Sequence, residues 1–160
     1  MLSIRDLRED EYGLLEDYLY MALYVPEGCR PHPRDILRIP ELRLYYENFG
    51  SSESDLALAC DDDGRVIGIC WARIMNDFSH IDDSTPSLVV SLADGCRGMG
   101  LGTKLVLAML ERLRERGYRS VSLSVQVSHP AQHLYRRLGF TEVRRVMGET
   151  EEEIVMVHAL

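Results

Sequence analysis

The sequence predicts an α/β fold, and three observations support this prediction. Segments with the apolar spacing of strands and segments with the spacing of helices follow one another along the 160 residues. The run Asp61-Asp62-Asp63-Gly64 has turn chemistry and separates two strand-like segments, which indicates a hairpin. A glycine-rich loop at residues 97–102 joins a buried strand-like segment to a helix-like one. We therefore expect a single α/β domain over residues 1–160, long enough to bury a substantial core.

The first third of the chain predicts one strand followed by helices. Leu2 to Leu7 alternates apolar and polar residues, as a strand with one buried face does. From about Glu9 to Leu23, acidic residues occupy the first turn and apolar residues recur at helical spacing, so we expect a helix there. Residues 24–33 contain three prolines and a glycine and are expected to form a loop. Two short helical segments at 33–39 and 40–49 each begin with proline, which is tolerated at a first helical position.

The rest of the chain predicts six strands and two helices. Apolar runs and turn residues place the strands, and the helical spacing of apolar residues places the first helix. Pro130 is the expected first residue of the second helix, and an acidic turn at 148–153 separates the last two strands. The expected strands are 55–60, 66–75, 87–92, 120–125, 142–147 and 154–159, and the first of the two helices is expected at 103–116.

Composition excludes several classes of protein. With 46% hydrophobic and 28% charged residues, the chain is neither disordered nor built to span a membrane, and it has no apolar run of the required length. Residues 1–6 lack the basic and apolar regions of a signal peptide, so we expect a cytoplasmic protein without a membrane partner. The four cysteines form no C-x-x-C pair, which argues against a disulfide framework and against a metal site.

The net charge of −8 is unevenly distributed. Residues 94–145 carry a net charge of +6, and the remaining residues carry −14. A basic half beside an acidic remainder suits an enzyme that joins a polyanionic donor to a cationic acceptor, because such fields steer oppositely charged ligands. An acidic surface that only aids solubility is the alternative. Nucleic acid requires a basic footprint, so we expect no nucleic-acid partner for an acidic protein of this kind.

The glycine-rich loop, Arg97-Gly98-Met99-Gly100-Leu101-Gly102, predicts an anion site. The first N–H groups of the following helix lack partners within the helix, so the loop can donate several hydrogen bonds to a diphosphate. The dinucleotide fingerprint fails because Thr103 stands where a third glycine is needed. The P-loop fails because Lys104 follows Thr103 rather than a glycine.

Two motifs together resemble those of one enzyme family. Arg97, Gly100 and Gly102 fit the pattern Arg-x-x-Gly-x-Gly, and residues 131–140, AQHLYRRLGF, fit A-x-x-L-Y-x-x-x-G-F. In this order and separation they resemble the motifs of the GNAT (Gcn5-related N-acetyltransferase) superfamily, closely over residues 86–143 and loosely elsewhere. The resemblance implies a mixed, largely antiparallel sheet of six to seven strands, flanked by about four helices and containing one splayed strand pair.

The resemblance also implies that the cofactor is acetyl-CoA, with its diphosphate on the glycine-rich loop. Pantetheine would lie between the splayed strands 87–92 and 120–125, whose unpaired backbone groups would bind its amides as a sheet edge binds a peptide. An ordinary paired strand is the alternative. The residues assigned to the cofactor in this way are Leu92, Ala93, Asp94, Arg97, Gly98, Met99, Gly100, Leu101, Gly102, Thr103, His129 and Tyr135.

Tyr135 is the catalytic residue that the resemblance implies, because it matches the family tyrosine whose hydroxyl lies near the coenzyme sulfur. A phenol with an ordinary pKa of about 10 is protonated at neutral pH and can donate its proton to a thiolate. A tyrosine that only packs is the alternative.

Two residues depart from the family pattern. His129 stands where many relatives have asparagine, so either Ser128 caps the following helix or His129 contacts the cofactor. Asp94 stands where relatives often have proline. A carboxylate near a diphosphate must point away from it or pair with Arg97.

Acyl transfer to an amine also needs a proton acceptor, because an alkylamine with a pKa of about 10.4 is mostly protonated at neutral pH. His80, Asp82 and Asp83 precede the cofactor strand and could reach the acceptor side, although a solvated loop residue is the alternative for each. Tyr24 and Glu27 lie in the loop that covers the acceptor site in the family, which makes them candidates for substrate contact. The sequence does not identify the base.

Three functions are compatible with this sequence. The resemblance favours an acetyl-CoA-dependent N-acetyltransferase acting on a primary amine of a small molecule, such as an amino acid or a polyamine, with protein amino termini or lysines as the alternative acceptors. A CoA-binding sensor without turnover is the second option. A nucleotide-binding module whose loop holds another diphosphate is the third. The oligomeric state is open, and a homodimer is one option because it is common in relatives.

Overall fold

The structure is a computed structural model that describes residues 1–160. Short 3-10 turns lie at Glu9–Glu11 and Arg34–Arg38. None of the helices combines the length and the apolar character that crossing a membrane requires. The strands and α-helices in chain order are β1 (Leu2–Asp6), α1 (Leu14–Ala22), α2 (Pro40–Arg43), β2 (Leu56–Asp62), β3 (Arg65–Arg73), β4 (Ser87–Leu92), α3 (Leu101–Glu115), β5 (Ser120–Gln126), α4 (Ala131–Arg137), β6 (Thr141–Met147) and β7 (Glu152–Ala159).

The strands form one seven-stranded sheet in the order β1-β2-β3-β4-β5-β7-β6. Every neighbouring pair is antiparallel except β4 and β5, which are parallel. The prediction of a mixed, largely antiparallel sheet flanked by helices is therefore confirmed. The parallel pair divides the sheet into a four-stranded section, β1 to β4, and a three-stranded section, β5 to β7, and this division positions the site.

Each face of the sheet is covered by its own apolar cluster. On one face, α3 buries a helical stripe of leucine, valine and methionine against the strands, and α4 packs beside it. On the other face, Leu15 and Leu19 of α1 pack against the fully buried Trp71 of β3. The Trp71 Nε1–H donates a 2.9 Å hydrogen bond to the carbonyl of Tyr45, so the buried indole keeps a polar partner.

The predicted hairpin between β2 and β3 is present, with a shorter turn than expected. The strands pair as far as Asp62 and Arg65, which leaves Asp63 and Gly64 as the central residues. Both have positive φ, +51° and +92°, as the two central residues of a type I′ turn require. The Asp61 carboxylate accepts a 2.5 Å hydrogen bond from the Gly64 N–H and fixes this turn.

The first predicted helix, at 9–23, is divided into a 3-10 turn and α1. Glu11 explains the division, because its carboxylate accepts hydrogen bonds from the Arg8 N–H at 2.9 Å and from the Arg5 guanidinium at 2.8 Å. These bonds hold the turn against β1. Gly13, a poor helix former, stands immediately before α1.

The helix predicted at 40–49 ends at Arg43. Arg73 of β3 is the cause, since its guanidinium donates to the carbonyls of Leu44 at 3.1 Å and Glu47 at 2.9 Å. Those carbonyls belong to the segment that the longer helix would have required. A bidentate pair with Asp55 keeps the buried Arg73 in place.

Other boundaries differ by one or two residues from those predicted. α3 begins at Leu101 rather than 103, and α4 begins at Ala131 rather than Pro130. The acidic turn predicted at 148–153 is shorter, because β7 begins at Glu152. Glu153 therefore lies in the sheet rather than in the turn.

Candidate active site

β4 and β5 are parallel neighbours that separate soon after they meet. They pair at Ser87 and Ser122, where the Ser122 N–H donates a 2.9 Å hydrogen bond to the carbonyl of Pro86. Beyond this point each strand pairs only with its other neighbour, β4 with β3 as far as Leu92 and β5 with β7 as far as Gln126. The splayed strand pair implied by the resemblance is thus confirmed.

The gap between β4 and β5 presents backbone groups without a partner strand. The Ala93 N–H donates a 2.9 Å bond toward β3, and successive residues direct their backbone groups to alternate sides, so Val90 and Leu92 direct theirs toward β5. By the same alternation Ser124 and Gln126 direct theirs toward β4. Two such edges can bind an extended ligand that carries amide groups.

The glycine-rich loop presents a run of unpaired donors. The backbone N–H groups from Arg97 to Thr103 have no hydrogen-bond acceptor within the chain. The first bonded N–H is that of Lys104, which donates to the carbonyl of Gly100 at 3.2 Å. Gly98 and Gly100 have φ of +80° and +77°, the left-handed region that favours glycine. Free N–H groups at the positive end of the α3 dipole form an anion-binding geometry.

Three predicted cofactor residues beside this loop differ in what they offer. Both main-chain groups of Ala93 are engaged within the protein, because its N–H donates toward β3 and its carbonyl accepts from Cys96 at 3.1 Å. The Ala93 carbonyl keeps a second lone pair, so main-chain contact with the cofactor stays a prediction for this residue. Asp94 is exposed and forms no ion pair with Arg97. Arg97 instead donates to the carbonyl of Met21 at 3.1 Å, which ties the loop to α1.

A cavity of about 210 Å³ passes between the splayed strands. Its apolar lining comes from both sheet faces, Leu123 and Val125 from the cluster under α3, and Leu19 and Leu42 from the cluster under α1. The cavity therefore connects the two sides of the sheet. Its polar and ionisable lining residues are Tyr24, His32, Tyr45, Asp77, Ser124, Gln126, His129, Tyr135 and Glu153.

Tyr135 of α4 lines the cavity from the face that carries α3. Its ring makes an edge contact with Phe140, with the ring centroids 5.9 Å apart, and its hydroxyl has no hydrogen-bond partner in the chain. Burial raises the pKa of Tyr135 well above its ordinary value, so the phenol holds its proton at neutral pH.

The end of α4 fixes the backbone that carries this tyrosine. The Phe140 N–H donates to the carbonyl of Tyr135 at 3.0 Å and the Gly139 N–H donates to that of Arg136 at 3.1 Å, a Schellman motif. Gly139 has a φ of +103°, and a Cβ there would lie 2.8 Å from His158 Nε2. Both facts give this glycine a structural role at the end of α4.

His129 lines the cavity beside α4, and its contacts show which residue caps this helix. Its Nδ1 accepts the Ala131 N–H at 3.0 Å, so the imidazole itself caps the helix. Ser128, the expected alternative, instead donates its hydroxyl to Glu151 at 2.6 Å. The His129 ring stacks on Tyr24 with centroids 4.2 Å apart. Burial and the nearby Arg97 lower the pKa of His129, which keeps the imidazole neutral.

Asp77 is the first of two carboxylates in the cavity. It accepts hydrogen bonds from the hydroxyls of Tyr45, Ser79 and Ser87, each at 2.9 Å. No lysine or arginine pairs with it, so its charge is stabilised by hydroxyl dipoles alone. Burial, with this carboxylate next to it, raises the pKa of Tyr45 well above its ordinary value.

Glu153 of β7 is the second carboxylate, and it has no partner. It lies directly opposite Gln126 of β5 in the antiparallel register. Its Oε2 is buried and receives no hydrogen bond, and the Oε1 of Gln126 is buried and unpaired as well. Burial, with a smaller contribution from the charge of Glu151, raises the pKa of Glu153 to about 7.

This raised pKa predicts a pH-dependent loss of stability. The folded protein keeps the Glu153 proton at pH values where the unfolded chain has lost it, so stability falls as the pH rises from 4.5 to about 7. Glu153→Gln removes this loss. We expect the variant to gain about 2 kcal/mol in unfolding free energy over the wild type between these pH values, after allowance for partial solvent screening.

Urea unfolding of both proteins at a series of pH values measures this difference. Glu152→Gln, at the exposed neighbouring position, is the matched control and should run parallel to the wild type. If the unfolding free energy of Glu153→Gln changed with pH as that of the wild type does, Glu153 would not be a buried carboxyl that keeps its proton.

Most of the residues expected on the acceptor side lie outside the cavity lining. Asp82 accepts from Ser84 and Thr85 in a local turn, and Asp83 is almost fully exposed. His80 directs its Nδ1 to the carbonyl of Met75 at 3.0 Å, and Glu27 is exposed. Only Tyr24 of this group lines the cavity.

Three other polar residues line the cavity instead, and none of them was predicted as a site residue from the sequence. Asp77, Gln126 and Glu153 are separated widely in the chain. They line one cavity because β4, whose Ser87 donates to Asp77, is the sheet neighbour of β5, and β5 pairs with β7. One signal was present, since Glu153 is in phase with Val155 on the same strand face, and Val155 is fully buried.

Comparisons with known proteins identify one family. The model of the acetyltransferase (GNAT) family matches residues 11–140. An N-alpha-acetyltransferase of Sulfurisphaera tokodaii is 33% identical over 120 residues, which cover 68% of this chain and 71% of that protein. A mycothiol acetyltransferase of Thermomonospora curvata is 41% identical over 80 residues, 49% of this chain, but the match spans only 25% of that longer protein.

Solved structures share the fold at low sequence identity. The ribosomal-protein-alanine N-acetyltransferase of Brucella melitensis has a TM-score of 0.73 at 20% identity, and the alignment covers 99% of each chain. The family match extends from before α1 to Phe140, where the second motif ends, and so includes the loop, the splayed strands and Tyr135. The chain belongs to the GNAT acetyltransferase family.

Proposed function

We propose that residues 1–160 form one acetyltransferase domain that moves an acetyl group from acetyl-CoA to a primary amine of a small molecule, such as an amino acid or a polyamine. One observation carries this proposal. The free N–H groups from Arg97 to Thr103 stand at one end of a gap between β4 and β5, and the cavity in that gap is lined by Tyr135.

The residues present fit coenzyme A. The loop donors suit a diphosphate, and the facing backbone groups of Val90, Leu92, Ser124 and Gln126 suit the amides of pantetheine. When bound, acetyl-CoA supplies the acetyl group as a thioester. The Leu92 N–H is the main-chain donor available to a carbonyl oxygen at the end of β4, because that of Ala93 is engaged.

Tyr135 is the residue we propose as general acid. Its hydroxyl holds a proton at neutral pH and has no competing acceptor in the chain. A thiolate with an ordinary pKa of about 8.5 is basic enough to accept a proton from a positioned phenol.

The charge of the cavity supports an amine as the acceptor. Asp77 and Glu153 line it, and no lysine or arginine does. A small, partly apolar cavity with a negative potential attracts a cation and concentrates it near the thioester site. The mycothiol acetyltransferases among the relatives favour a small-molecule acceptor.

A protein amino terminus is the second candidate acceptor. The relative from Sulfurisphaera tokodaii is named an N-alpha-acetyltransferase and aligns over most of its own length. An α-amino group at a chain end would meet the same carboxylates. A peptide would extend out of the cavity past Tyr24 and His32, which line it from the loop after α1.

Two measurements test the proposal. Thermal shift should show stabilisation by acetyl-CoA well above that by ADP or NAD, and stabilisation by the dinucleotide alone would eliminate it. Thiol release with acetyl-CoA should then be measured against spermidine, L-lysine, 2-phenylethylamine and a peptide with a free amino terminus. Tight binding without thiol release on any amine would favour the sensor instead.

A further inference from the structure

Glu153 is the carboxylate in the cavity whose hydrogen-bonding capacity is unused. Its Oε2 is buried, and no N–H or O–H group of the chain reaches it. Asp77 differs, because three hydroxyl groups already occupy both of its oxygens. A buried carboxylate oxygen without a donor is unfavourable, so a donor from outside the chain is needed to satisfy it.

A second orphan acceptor lies next to Glu153. Gln126 is its direct cross-strand neighbour, and the Gln126 Oε1 is also buried and unpaired. Side chains directly opposite in an antiparallel pair lie on the same face and close together. Two unpaired acceptors side by side match an ammonium group, which carries three N–H donors and no acceptor.

Glu153 and Tyr135 approach the cavity from opposite faces of the sheet. Tyr135 belongs to the cluster under α3 and α4, whereas Glu153 alternates with Ile154, which is buried in that same cluster, and therefore faces the side of α1. In a displacement at a carbonyl carbon, one proton leaves the entering nitrogen and a different proton is donated to the departing sulfur. A proton acceptor and a proton donor on opposite faces meet this requirement.

We propose that Glu153 is the general base for the acceptor amine and that Gln126 orients the same nitrogen. This inference rests on the proposed function. An N–H bond of the ammonium breaks, its electron pair stays on nitrogen as the attacking lone pair, and the proton forms an O–H bond at Glu153 Oε2. The proton then passes to solvent, while Gln126 Oε1 accepts a remaining N–H. As the nitrogen forms its bond to the acetyl carbon and the C–S bond breaks, Glu153 accepts the second proton that the nitrogen loses. Tyr135 donates a proton to the sulfur and regains one from solvent.

The surroundings of Glu153 set the pH range of this step. Glu151 in the preceding turn adds negative charge, and Tyr45, hydrogen-bonded to Asp77, faces it across the cavity. His129 is held neutral and adds no positive charge. With its pKa near 7, Glu153 is an effective proton acceptor at neutral pH and loses this capacity as the pH falls.

Glu153→Gln tests the proposal with the amine that gives the fastest thiol release. We expect kcat/KM to fall roughly 100-fold and its decline on the acid side, centred near pH 7 in the wild type, to disappear. The Kd for acetyl-CoA should stay within about twofold, which checks the fold. Glu153→Asp keeps a carboxylate one methylene further back and should retain the acid limb at a lower rate. Glu152→Gln is the matched control and should behave as the wild type.

A readout without turnover is the carbon-13 NMR titration of the glutamate side-chain carboxyls. One resonance should titrate near pH 7 in the wild type and be missing in Glu153→Gln. A variant that keeps the rate and the acid limb, or a wild type without that resonance, would overturn the role of Glu153 alone. If the wild type releases no thiol with any of the amines, the proposed function is overturned, and this inference with it.

Discussion

Gly100→Glu is expected to weaken acetyl-CoA binding by roughly 100-fold or more, which corresponds to about 2.7 kcal/mol. Gly100 is the N-cap of α3, and its φ of +77° places it among the unpaired N–H groups of the loop. A glutamate there adds a carboxylate where the diphosphate would lie, and it disturbs a backbone conformation that favours glycine. Isothermal titration with acetyl-CoA measures the change.

Gly117→Glu is the matched control for this variant. Gly117 follows the other end of α3, has a φ of +88° and is exposed, so it takes the same backbone strain and the same charge away from the loop. Its acetyl-CoA affinity should equal that of the wild type. Equal affinity for Gly100→Glu as well would show that the diphosphate lies elsewhere.

Tyr135→Phe is expected to lower kcat by roughly 100- to 1,000-fold while changing the Kd for acetyl-CoA less than about threefold. The substitution removes only a hydroxyl that has no partner in the chain, and it keeps the ring against Phe140. The fold therefore loses no internal hydrogen bond, and the effect falls on protonation of the leaving group. Single-turnover thiol release and acetyl-CoA titration separate the two quantities.

Tyr118→Phe controls for the loss of a tyrosine hydroxyl. Tyr118 packs against the same apolar cluster as Tyr135 but does not line the cavity. Its kcat should match that of the wild type. A normal kcat for Tyr135→Phe would leave the tyrosine with a packing role only.

Local patterns predicted most of the fold. The alternation of apolar residues placed the strands, and the run before Arg65 placed the hairpin turn, because the relevant interactions lie between near neighbours in the chain. The helix predicted at 40–49 failed for a nonlocal reason. Its carbonyls are taken by Trp71 and Arg73, which reach them from a strand.

The same distinction separates the predicted and unpredicted parts of the site. The loop at 97–102 and Tyr135 belong to contiguous motifs, so the sequence identified them as candidates. The cap of α4 was missed, since His129 performs by its Nδ1 what asparagine usually does by its oxygen. Glu153 was assigned to the acidic turn at 148–153, because nothing local shows that β7 begins at Glu152 and presents the next side chain to a cavity.

Because β4 and β5 separate, the stability of the fold depends on the concentration of the ligand that binds between them. The two sections of the sheet share one strand pairing, at Ser87 and Ser122, and otherwise hold together through side chains. A bound thioester ligand would hydrogen-bond to both strands and connect the two sections of the sheet. The resulting gain in unfolding free energy grows with the logarithm of the ligand concentration. When the thioester ligand is scarce, the opening between β4 and β5 would be unbridged, and the sheet would be more accessible to proteases.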